Sequence, residues 1–181
     1  MANNEYLDKY EENLHQSLCT YLTEKDKIDT IFPDAPDIED LWVIIAQSYL
    51  QDGVREFNSY PTVSLGWMMF IGMAIAQMWD EDWDKCSKTP DIYIELRDKR
   101  GYDCLDEHIC ENVLHLNEDQ AAALSKLVSN VAGMAHHNLI SSNFENGTSE
   151  AFHAYVRTLH VLYRMGSAVQ LKQLGYHMTK M

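Results

Sequence analysis

LGWMMFIGMAIAQMW, residues Leu65 to Trp79, decides the fold: it is a run of fifteen residues in which Gln77 is the only strongly polar side chain. A helix that is apolar on every face belongs inside a protein core or inside a bilayer. A bilayer span takes about 20 such residues. This run ends at Asp80, Glu81, Asp82 and Asp84, so the pattern predicts a central core helix over about 61–85 and no membrane span. Gly72 and Ala76, four residues apart, share one face of that helix and let a neighbouring helix come close to its backbone.

The flanking sequence reads as the helices that cover it. Leu7, Tyr10, Leu14, Leu18 and Tyr21 recur at spacings of three and four, one apolar stripe along a helix from about Glu5 to Glu24. Pro33 and Pro36 interrupt the chain. Asp37 is then expected to cap a helix that carries Leu41, Trp42, Ile45 and Tyr49 and ends near Gly53 to Asn58. Thr89-Pro90-Asp91 reads as a helix opening with Thr89 as the hydroxyl cap, and Gly101 as its close. Asp103 is expected to cap a short segment with Leu105, Ile109, Val113 and Leu116 facing inward.

Asn117 with Gln120 has the spacing of a capping box for a long helix with Leu124, Leu127, Val128, Val131, Ala135 and Asn138 on its stripe. After a turn at Asn143 to Gly147, the last helix runs from about Thr148 toward Tyr176, with Phe152, Tyr155, Val156, Leu159, Leu162, Tyr163, Gly166 and Val169 on one side. No stretch alternates with the period of a strand. The expectation is an all-α, single-domain helical bundle over 1–181, with five to six main helices around the central apolar one. The strings SLGWMM, MWDEDW and LGYHM resemble those of helical bacterial proteins, a likeness that implies a helical fold and no activity.

The formal charge is −14, and it is uneven: −9 over 1–60, −8 over 61–120 and +3 over 121–181. With only five bases in its most basic third, the chain lacks the electrostatic footprint of a nucleic-acid binder or an anionic-membrane binder. The N-terminus MANNEYLDKY has neither a basic region nor an apolar one, and Cys19, Cys86, Cys104 and Cys110 include no C-x-x-C pair. These features lead us to expect a cytoplasmic protein with reduced thiols.

Two polar features could carry chemistry. The acids Asp80 to Asp84 sit where the central helix should end, and negative charge there opposes the helix dipole, so compensation is expected from Lys85 and Lys88, a divalent metal or bases on another helix. On the last helix Glu150, His153, Arg157, His160 and Arg164 step by three and four and share a face. His153, Arg157, His160 and Arg164 are therefore candidate ligand-binding residues for a small anion, and Asp80, Asp84, Glu150 and His153 are candidate metal ligands. Glu150 and His153 form a single Glu-x-x-His, whereas a di-iron bundle needs two such pairs. His136 and His137 point about 100° apart on a helix, too divergent for one metal. No nucleophile elbow, phosphate loop or dinucleotide fingerprint is present, and no cofactor is expected.

The expected function is therefore that of a non-catalytic interaction or assembly protein, a homo-oligomer or the partner of another protein. Its motive is a supply of ten Tyr, four Trp and nine Met that one core need not absorb. The alternative is a small-anion- or divalent-metal-binding bundle, or an enzyme, with a site between the Asp80–Asp84 cluster and the Glu150–Arg164 face.

Overall fold

The computed structural model describes residues 4–145 and 147–176, which form an all-α bundle. The end of the LGYHM string, His177 and Met178, lies outside the described residues. Five long helices, α1 (Asn4–Glu24), α3 (Trp42–Ser59), α4 (Pro61–Lys88), α7 (Glu118–Ser141) and α8 (Ser149–Gln173), are joined by shorter α2 (Pro36–Glu39), α5 (Ile92–Arg97) and α6 (Leu105–His108). A 3-10 turn precedes α6 and a π-helical turn, Ile109–Val113, follows it.

The apolar run forms the middle of α4, where every residue from Ser64 to Ala76 except Trp67 is buried. By length and composition α4 could cross a bilayer, but 67% of its most apolar window is buried against other helices, the place of a core helix. Its most extensive contact is with α8. The two helices run in the same direction, with Ser64 opposite Tyr155, Gln77 opposite Gln170 and Asp80 opposite Tyr176.

Glycines allow that crossing. A Cβ on Gly72 would collide with the carbonyl oxygen of Tyr163, and a Cβ on Gly166 with that of Met69. The hydroxyl of Ser167 donates across the crossing to the Gly72 carbonyl at 3.3 Å. The small-residue face of α4 thus finds its partner in α8.

The caps follow the sequence in part. Asn117 and Gln120 form the reciprocal capping box, and Thr148 caps α8 by accepting from the Ala151 amide. Asp37 does not cap: the segment divides into α2 and α3, and Ala35 occupies the cap position of α2. Thr89 donates back to the Lys85 carbonyl at 2.8 Å, closing α4, so Asp91 caps α5 instead through the Ile94 amide at 3.2 Å. Asp103 lies inside the 3-10 turn and caps nothing, and Phe152 points outward, 44% exposed.

A buried polar network gives no periodic signal in the sequence. Tyr49 donates to the Ser64 carbonyl at 2.5 Å, and the Ser64 hydroxyl meets Tyr155 at 2.6 Å and donates to the Gly53 carbonyl at 2.8 Å. Nearby, buried Asp52 accepts from Tyr93 at 2.6 Å and from Arg97 at 3.1 Å. Burial, reinforced by the Asp52 carboxylate, pushes the Tyr93 hydroxyl well above the usual phenol range, so it stays a donor.

The packing sets the expected cost of three kinds of substitution. Gly72→Ala or Gly166→Ala forces two backbones apart and should cost about 3 kcal/mol or more in urea unfolding. Gly133→Ala in α7, whose added Cβ meets nothing within 4 Å, should instead stabilise by about 0.5–1 kcal/mol. Asp52→Ala leaves the buried Tyr93 hydroxyl without its acceptor and Arg97 with Asp98 alone, and should cost about 2–3 kcal/mol in the same measurement.

Candidate functional site

The polar face of α8 lies over α1 and α2, and their carboxylates occupy it. Arg157 pairs with Asp8 and sits 3.7 Å from Glu11. Arg164 donates through one nitrogen to Glu39 at 3.1 Å and lies 3.5 Å from Glu11 through another. His160 meets the same Glu39 through Nε2, while its ring stacks on Trp42 with centroids 4.4 Å apart and planes 4° from parallel. Trp42 is buried and holds that ring in place.

Glu39 is the hub. Burial would raise its carboxyl, but the hydrogen bonds from His160 and Arg164 outweigh it and bring the group down to about 2. The face expected to meet a small anion is thus neutralised by Asp8, Glu11 and Glu39.

The Asp80–Asp84 cluster is elsewhere. Because α4 and α8 run in the same direction, the acids lie beside Tyr176, just past the end of α8, and that end is about 30 Å along the helix from His153 at a rise of 1.5 Å per residue. The expected site between cluster and face is not formed. Tyr176 donates to Asp80 at 2.6 Å and Gln77 to Glu81 at 2.6 Å. The dipole conflict is relieved by a break: Asp82 leaves the helical conformation and accepts from the Lys85 amide at 3.2 Å. Asp82 and Asp84 thereby stand at the start of a fresh helical turn, where negative charge is favourable, while Asp80 and Glu81 end the preceding stretch and accept from Tyr176 and Gln77.

His153 is exposed beside the Phe152 ring, and neither it nor Glu150 approaches Asp80 or Asp84. Among the described residues no three His, Cys, Asp or Glu side chains gather as a metal site. The candidate set Asp80, Asp84, Glu150 and His153 is therefore corrected: its members sit at different ends of the bundle.

At the α2 end of the α8 face opens a cavity of about 400 Å³, lined by His15 of α1, the 32–40 segment and Tyr163 to Leu171 of α8. Arg164 and Glu39 are the residues it shares with the ion-pair network. Among the described residues, the Nδ1 of His15 is the one buried side-chain nitrogen or oxygen without a hydrogen-bond partner. Burial, followed by the nearby Arg164 charge, lowers the pKa of His15 and favours the neutral ring. The sequence could not reveal this cavity, because its walls come from segments more than a hundred residues apart.

No protein-family model matches the chain, and no curated protein or solved structure is significantly similar to it. The geometry alone carries the functional reading.

The opposite end of the bundle is apolar and open. Phe57, Leu139, Ile140, Phe144 and Tyr155 line a cleft of about 510 Å³. Ile140 in its lining is 63% exposed, Tyr6 beside the lining Phe144 is 42% exposed, and Phe152, next in sequence to the lining Ala151, is 44% exposed. Tyr6 packs edge-on against Phe144, and its hydroxyl donates to the Ser142 carbonyl at 2.8 Å. Among the described methionines, Met68, Met69, Met73 and Met165 are in the core, and Met78 and Met134 pack partly buried against it.

The Glu39 hub sets an acid dependence. Its pKa is lowered on folding, from 4.5 to about 2, so its contribution to stability is full above pH 4.5 and is lost as pH falls through 2. Melting temperatures from neutral pH downward should show Glu39→Gln well below wild type at pH 7, with the two curves converging in acid.

Proposed function

We propose that the protein is a non-catalytic assembly module whose apolar end docks against a second copy of the same chain. The carrying observation is the cleft between α3, α7 and α8, in which Ile140 is exposed and Phe144 packs against exposed Tyr6, with exposed Phe152 next in sequence to the lining Ala151. Exposed apolar side chains scattered singly are ordinary, but several large ones around one aromatic cleft mark an interaction surface.

Charge favours this end over any other. Two chains of net charge −14 repel each other through most of their surface. The lining of the cleft carries no Lys, Arg, Asp or Glu, so two copies of it can meet without like charges face to face. Self-association through this end meets the least repulsion. A symmetric contact would place the two clefts face to face, the commonest arrangement of homo-oligomers. The four free thiols fit a cytoplasmic setting.

Size-exclusion chromatography with light scattering tests the reading. The wild type should give twice the monomer mass at micromolar concentration, and Ile140→Glu with Phe152→Glu should give the monomer mass with unchanged helix content. A wild type that stays monomeric as concentration rises, or a dimer untouched by the two substitutions, overturns it.

A further inference from the structure

We propose that the cavity between α1, the 32–40 segment and α8 binds a small organic cation, a primary ammonium group carried on an apolar body. The inference is independent of assembly through the opposite end.

The cavity has two kinds of wall. Phe32, Ile38, Ala168 and Leu171 supply apolar surface, and Asp34, Glu39 and Asp40 bring three carboxylates against the single guanidinium of Arg164. Pockets of this size with apolar walls and a few convergent polar groups are the usual form of small-molecule sites. The apolar walls would bury a hydrocarbon body, which a bare inorganic ion lacks.

The sign of the charge follows from Arg164. Its guanidinium already faces Glu39 and Glu11, so an incoming anion would have to displace a carboxylate while passing Asp34 and Asp40. A cation meets the reverse: exposed acids at the mouth and an overall charge of −14 that concentrates cations around the chain. A metal ion is not favoured, because no cluster of its ligands forms among the described residues.

His15 supplies the third element. Its ring is part of the wall, with Nδ1 turned away from the open space of the cavity. The Phe32 ring, packed edge-on to His15 at 4.6 Å between centroids, adds an aromatic neighbour of the kind that attracts cations.

The test uses the full chain and three probes of one shape: phenethylamine, phenethyl alcohol and hydrocinnamate. Proton–carbon NMR would follow the His15 ring and the Ala168 methyl during titration at neutral pH. The amine should shift both signals and bind at least about tenfold more tightly than the alcohol, a difference of about 1.4 kcal/mol, while hydrocinnamate should leave them in place. Asp34→Asn with Asp40→Asn, two exposed positions, should keep the fold and weaken the amine at least several-fold. The proposal is overturned if the alcohol matches the amine, if hydrocinnamate binds more tightly, if no probe shifts either signal at millimolar concentration, or if the double variant binds the amine unchanged.

Discussion

The structure depends on the close approach of α4 and α8 at Gly72 and Gly166. Each glycine admits a carbonyl of the opposite helix where a methyl group would collide. Because the crossing brings two backbones together, it fixes the relative height of every side chain along both helices. Ser64 meets Tyr155 on one side of it, and Gln77 meets Gln170 on the other. Interiors packed to crystal density have little freedom to absorb a shift at such a point.

The same register decides where charge goes. With α4 and α8 running in the same direction, the acidic end of α4 lies beside the end of α8, and the bases near the middle of α8 turn toward α1 and α2. Glu39, Arg164 and His160 then form a half-buried cluster whose desolvation is offset by several charge-assisted contacts. Trp42 stacked on His160 ties this cluster to the apolar core. The cavity beside it is the space left where the proline-broken 32–40 segment arches away from α8.

The two ends of the bundle therefore differ in chemistry. One carries a polar-rimmed cavity beside a neutralised ion-pair cluster, and the other an open aromatic cleft. The core takes up most of the large apolar residues that made an interaction surface expected: Trp42 and the central methionines are buried, and the exposed ones among the described residues include Tyr6, Val43, Ile44, Tyr60, Ile140, Phe152 and Tyr176. Helix periodicity alone does not separate these groups, since Phe152 carries the same spacing as the buried Tyr155 and Leu159.

The sequence by itself determined the helices, because a 3.6-residue apolar period, the Asn117–Gln120 box and the Thr148 cap are local interactions between residues a few positions apart. It also determined that Leu65 to Trp79 lies at the centre, since such a run has no polar face to give to water. It did not place the α8 bases against Asp8, Glu11 and Glu39, or join Tyr49, Gly53, Ser64 and Tyr155 in a buried network. Those contacts join residues from 11 to 153 positions apart, and a pairing at that range depends on helix direction and register. Only the tertiary structure decided these, through the one crossing at which two glycines let two backbones touch.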